Sequence, residues 1–332
     1  MASLAQAQFT NQELRGLIAA RLGDAHVPRR FKVVHDTSEF FQIDYNDVVV
    51  LDHTPYLMRN YEREGRFGLE DEPKYWVRRA VDLATGDTKV IKLVFDEAIE
   101  AKVGGVVFHC VRSPHKEAAI LDLTRGHGSF MQGFSARDVV GNTVRILDFI
   151  PGARLDEYVA KRCRDHEAYY QEELPGLLAI YAELVAAIGL LHGHGYKHGD
   201  IRRDHILLDP PIATWRWIDF DYDYAADANP FGYDLFGLGN ILIFLVGGGD
   251  VTTQILARSD ASVLESLTTD DLNIVFNHRV ANLQKIYPYI DDSLAYVLRH
   301  FSQGADVFYE DTGQLLADLA EVRLARPKEE RS

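Results

Sequence analysis

Lys92 stands in the apolar run VIKLVF, Glu117 in HKEAAIL, Asp200 and Arg202 in YKHGDIRRDHILLD, and Asp219 in IDFD. Each is ordinary alone. A lone lysine in an apolar strand usually snorkels to the surface, and a lone glutamate on a helix usually faces water. Together, in this order, they could handle a phosphoryl group, whose transfer needs charge neutralisation and alignment more than covalent chemistry. Lys92 can supply a cation, and the fork of Arg202 suits phosphate oxygens. Asp219 is a hard oxygen ligand suited to a divalent ion. Asp200 can accept a hydroxyl proton.

These residues need elements to hold them. Up to about residue 150 the pattern is strand-like. DVVVLD (47–52) and PYLMRNY (55–61) read as a hairpin, and 75–95 as two strands joined at Thr85-Gly86-Asp87. GGVVFHCV reads as a further strand, and 130–150 as a hairpin turning at Gly141-Asn142. Ser113 and Pro114 open a helix carrying Glu117. After Pro151-Gly152, a candidate hinge, the pattern turns helical. Leu177, Tyr181, Leu184, Ile188 and Leu191 form one apolar stripe. Helices are expected at 232–246, at 292–302 and after Thr312 as N-cap. The fold class is α+β, divided as an extension (1–46), a strand-rich lobe (47–152) and a helical lobe (153–332).

The ordered set resembles the protein-kinase-like superfamily, in outline over roughly residues 70 to 320 and specifically at 191–239. The resemblance implies a bilobal fold: an antiparallel sheet with one main helix, then a mainly helical lobe. It implies that Lys92 holds ATP phosphates and pairs with Glu117. RILDFIPG resembles the hinge that presents backbone groups to adenine at Asp148, Phe149 and Ile150, with Val77, Val90 and Leu207 as apolar walls. HGDIRRDH resembles the catalytic loop, with Asp200 as base and His198 as support. IDFD resembles the metal-binding motif, with Asp219 on Mg²⁺ or Mn²⁺, and YDLFGLGNIL the helix whose Asp234 bonds back to the loop.

Three departures qualify this. The phosphate-covering loop, counted back from Val77, falls on EDEPKYWV (70–77), which has no glycine; Gly65 and Gly68 offer a longer alternative. Only 14 residues separate Asp219 from Asp234. That short span resembles aminoglycoside and choline kinases, and Gly199 removes the arginine that would read a phosphorylated segment. His205 stands where an asparagine is usual, as in lipopolysaccharide core sugar kinases, and is a candidate metal ligand with Asp221. His192, His194 and His198 lack the cysteine or glutamate partners of a zinc site. Arg203 is read as a surface charge or a second phosphate contact.

The function expected is ATP-dependent transfer to a hydroxyl on a protein Ser/Thr, on the chain itself, or on a small molecule or sugar. The alternative is a pseudokinase scaffold. A net charge of −15 argues against a nucleic-acid partner. Two cysteines and no leader-like N-terminus fit a cytoplasmic protein. The run LGNILIFLVGGG is too short for a membrane segment and reads as a buried helix.

Overall fold

The computed structural model describes residues 9–64, 72–103, 106–225 and 229–323. They form two compact units, one of residues 1–97, 112–127 and 131–150, the other of residues 98–111, 128–130 and 151–332.

The first unit begins with α1 (Asn11–Leu22), closed at its start by a capping box in which Thr10 and Glu13 satisfy each other's backbone donors. The strands β1 (Val33–Val34), β2 (Val48–Leu51), β3 (Thr54–Glu64), β4 (Glu72–Asp82) and β5 (Thr88–Lys92) follow. The hairpin β6 (Ala98–Val103) and β7 (Val106–Arg112) comes next, then α2 (Pro114–Leu123), β8 (Gly133–Arg137) and β9 (Thr143–Asp148). One sheet has the order β1-β2-β3-β4-β5-β9-β8. The β2–β3 turn is tight because Asp52 and His53 both take positive φ. Every residue of β2 is buried, which alternation would not give. Val48 and Val50 pack with Leu14 and Ile18 of α1, while Val49 and Leu51 pack with Tyr56, Met58, Ala80 and Ile146. Both faces of the sheet are therefore covered, and α1 covers one. The extension is part of this core.

β3 ends at Glu64 and β4 starts at Glu72, with those two residues in register. Residues 72–77, expected in a loop, are thus strand; the register shift between Tyr61↔Arg78 and Glu62↔Lys74 places the extra residues in β4 itself. The connection is 65–71, with Gly65 and Gly68, and it lies outside the described residues.

In the second unit, β6 and β7 join β12 (Tyr222–Ala225) in a sheet of order β12-β7-β6. The helices α3 (Leu155–Arg162), α4 (His166–Glu172) and α5 (Leu174–Gly193) precede β10 (Ile206–Asp209) and β11 (Thr214–Trp217), an antiparallel pair. Then come α6 (Gly232–Val246), α7 (Thr253–Ser259), α8 (Ala261–Ser266), α9 (Asp292–Arg299) and α10 (Thr312–Glu321). Among the described residues, α5 alone is long and apolar enough to cross a membrane, and half of its apolar window is buried. Leu177, Tyr181, Leu184, Ile188 and Leu191 form its buried stripe. The Tyr181 hydroxyl donates to Leu238 O, and Trp217 Nε1 donates to Leu184 O. α10 is capped by Asp311, not Thr312, whose side chain is buried against Gly189. α9 stops at Arg299, where the chain tightens into a turn.

Candidate active site

In the first unit, β5 ends on Lys92, opposite Val77 of β4. Lys92 is buried, and its Nζ lies 2.7 Å from Glu117 Oε1. The other oxygen of Glu117 takes Nε of Arg145 at 3.0 Å. Ser113 starts α2 by accepting from the Lys116 amide, and this places Glu117 in the first helical turn, wholly buried. One carboxylate thus lies between two cations. The sequence reading missed Arg145. An arginine inside the apolar strand TVRILD was the available signal, since a buried guanidinium needs a carboxylate.

Val77 is buried and Val90 half-buried. At the end of β9, Asp148 is exposed, and its side chain pairs with Lys89 at 2.7 Å. Its amide donates to Gln132 O, so it is not available to a ligand. Phe149 lies under the Arg79 guanidinium, 4.5 Å from ring centre, and Ile150 is half-buried.

In the second unit, the loop after α5 carries the polar groups. Asp234, in the first turn of α6, is wholly buried and organises it. Its Oδ2 accepts from the His198 amide at 2.7 Å and faces His192 Nε2 at 3.0 Å, and its Oδ1 accepts from the Gly199 amide at 2.9 Å. Burial pushes this carboxyl up, but His192 and the loop amides outweigh burial and hold it below the usual range. Gly199 has φ +89°, and a Cβ there would lie 1.9 Å from Tyr222 O. The close approach accounts for glycine at this position. His198 packs edge-on against Trp217, and its Nδ1 faces the Asp200 amide at 3.3 Å. His192 lies on Asp234, His194 bonds Leu190 O, and His198 lies under the loop, so the three imidazoles hold separate places.

Asp200 and Asp219 flank His205. Nδ1 of His205 is 2.8 Å from the main-chain O of Asp200, which can only accept, so Nδ1 carries the hydrogen. In the neutral ring Nε2 then turns its lone pair toward Asp219 Oδ2, 3.6 Å away. Asp219 has φ +69°, a left-handed backbone that Asp tolerates better than most residues. Carboxylate oxygens of Asp219 and Asp221 lie within 4.8 Å of each other. Two carboxylates this close suit a hard divalent cation such as Mg²⁺, and an imidazole beside Asp219 is also tolerated by Mn²⁺.

Arg202 forks onto Asp204, with Nε–Oδ1 at 3.0 Å and Nη2–Oδ2 at 2.5 Å, and its Nη1 lies 4.0 Å from Asp200 Oδ2. Burial raises the Asp204 carboxyl, but His205 and Arg202 more than offset it and hold it low. Arg203 is neither a surface charge nor a phosphate contact here. It makes a two-pronged pair with Asp250, both bonds 2.7 Å. Leu207 is half-buried in β10.

The short segment after Asp219 is ordered as β12. Phe108 and Cys110 of β7 pack with Tyr222 and Tyr224. The Tyr224 amide bonds the Asp223 carboxylate, and its carbonyl accepts from Lys197 Nζ. Sequence reading found β7 but not β6, nor the pairing of β7 with β12, whose partners lie more than a hundred residues apart and leave no local signal.

No family model matches the chain. A stretch of 95 residues, 28% of the chain, is 27% identical to the 2-5A-dependent ribonuclease of Mus musculus. A stretch of 133 residues, 39% of the chain, is 28% identical to CBL-interacting protein kinase 16 of Oryza sativa subsp. japonica. These matches span 13% and 25% of those proteins' lengths. Among solved structures, the chain is similar to the Mycobacterium tuberculosis PknI kinase domain, with TM-score 0.47 and 14% identity over 80% of this chain and 95% of that one. Its C20A mutant gives TM-score 0.49 and 13% identity over 84% and 98%. The strand order β3-β4-β5-β9-β8, the helix α2 packed against β8 and β9, and the helical second unit make an α+β fold.

Proposed function

We propose that this protein is an ATP-dependent phosphotransferase acting on a hydroxyl. The observation that carries the reading is the group on the second unit: Asp200, His205, Asp219 and Asp221 on one loop platform fastened by Asp234. Asp200 orients the acceptor hydroxyl and takes its proton. Asp219 and Asp221, with His205, hold the divalent ion, which when bound screens phosphate charge. In the first unit, Lys92 is aligned by Glu117 to bind phosphate oxygens. Val77 and Val90 offer an apolar wall to a flat base, and residues 148–150 its edge contacts.

The acceptor is a compact hydroxyl compound rather than an extended peptide. Only 14 residues separate Asp219 from Asp234, too few for a long platform, and the main-chain groups of Tyr224 are engaged by Asp223 and Lys197. A second reading, a nucleotide-binding pseudokinase, draws on one observation: the Arg202 fork is held by Asp204.

Thermal shift with ATP tests the binding half. Stabilisation that needs Mg²⁺ or Mn²⁺, and that is lost in Lys92→Met and in Asp219→Ala, is the expected result. No shift with any metal sinks both readings. A metal-dependent shift with no transfer to sugars, aminoglycosides, proteins or the chain itself selects the second.

A further inference from the structure

We propose that Arg203 and Asp250 form a tether that positions the catalytic loop, so that α6 holds this loop from both of its ends. The proposal rests on the phosphotransferase reading for its consequence in catalysis, but not for its geometry. At the start of α6, Asp234 takes the amides of His198 and Gly199. Four residues past its end, Asp250 takes both terminal nitrogens of Arg203 at 2.7 Å. A fork-to-carboxylate pair fixes direction as well as distance, which a lysine at that position would not.

The turn that presents Asp250 is specialised. Gly247, Gly248 and Gly249 donate to Ile243 O, Leu245 O and Phe244 O in succession, finishing the helix. Gly248 has φ +62°, and a Cβ on it would lie 2.2 Å from Cys163 Sγ. Gly249 has φ +154°. Side chains are therefore excluded or strained at both positions, and the turn is pinned against Tyr169 of α4 and Cys163, which follows α3. The Arg203 guanidinium also lies over Phe244 of α6 at 4.3 Å. Arg279 lies on the same carboxylate, with Nε 3.4 Å from Asp250 Oδ1. The Asp250 carboxyl is raised by burial and lowered by Arg203 and Arg279, with a net depression, in keeping with a standing ion pair.

Arg203 opens the short 3-10 turn Arg203–His205. It sits next to Arg202 and two residues before His205, so its anchor sets where both of those side chains stand. Arg203 and Asp250 touch no reacting atom and are positioning residues.

Hydrogen–deuterium exchange on the full chain reads the tether without turnover. In Asp250→Asn, amides of 199–206 are expected to exchange about tenfold faster than in wild type, with the strands of the first unit unchanged. In Arg279→Gln, loop exchange stays within about twofold of wild type. Arg203→Lys keeps the charge and loses the fork; it reads the same tether where Asp250→Asn does not fold, and the same faster exchange is expected. In transfer assays kcat falls about tenfold while KM for ATP holds within about twofold, the pattern of a misplaced loop. Loop exchange unchanged in both tether variants, or raised equally in Arg279→Gln, overturns the proposal. A wild-type chain that transfers no phosphate overturns the phosphotransferase reading, and the exchange comparison still decides the tether.

Discussion

Glu117 carries a single negative charge between Lys92 and Arg145, all three buried. The loss of each therefore has a different cost. Glu117→Ala removes the buried carboxylate that both cations pair with and is expected to cost about 3–5 kcal/mol in chemical denaturation. Lys92→Met leaves Glu117 paired with Arg145, so its stability loss is expected to be clearly smaller, while the ATP-dependent thermal shift disappears. Equal losses in the two variants would show that Arg145 does not hold Glu117 alone. Lys92 and Glu117 were legible in the sequence because their order fits a template. Arg145 was not, because its partner is 28 residues away and no local pattern marks the pair. Arg202 was legible as a residue, but not in its engagement by Asp204, which depends on a turn of the loop.

At the scale of elements, α4 carries a pH-sensitive contact. His166 stacks on Tyr287 with ring centres 3.5 Å apart, and its nitrogens reach Val246 O and the Tyr289 hydroxyl. Burial lowers its pKa from 6.5, only partly countered by the Val246 carbonyl and Asp165. A folded value below the unfolded one means that the unfolded chain binds the proton more readily. The contribution of His166 is then complete above about pH 6.5 and is lost as pH falls below it toward the folded value. Denaturation midpoints from about pH 8 to about pH 5 should decline, and His166→Phe should flatten that decline. A parallel decline in the variant would assign the effect elsewhere. The sequence foretold α2, α5 and α6, where caps and stripes are local. It did not foretell the β12-β7-β6 sheet or the turn after α6, where pairing and close approach decide the backbone.

At the scale of the molecule, residues 9–46 are not a loose appendage. Leu14 and Ile18 are wholly inaccessible and pack on Val48, Val50, Leu57 and Val81. The run DVVVLD announced burial on both faces through its lack of alternation, but what covers the second face could not be read from that run. Leu14→Ala is expected to cost about 2–5 kcal/mol, measured by urea denaturation. A cost near zero would mean that α1 does not cover the sheet in solution. The α+β class followed from the switch between strand and helix patterns near residue 150. The placement of 98–111 with the second unit did not, since it requires chain to leave one core and return.

The central claim is that Asp200 serves phosphoryl transfer on a platform fastened by Asp234. The measurement that tests it most directly is transfer of label from γ-labelled ATP, with Mg²⁺ or Mn²⁺, to a panel of sugars, aminoglycosides, proteins and the chain itself. Transfer by wild type, reduced at least about a hundredfold in Asp200→Asn while ATP binding is retained, is the result the account predicts. Equal transfer by wild type and Asp200→Asn, or ATP binding with no transfer to any acceptor, would contradict it.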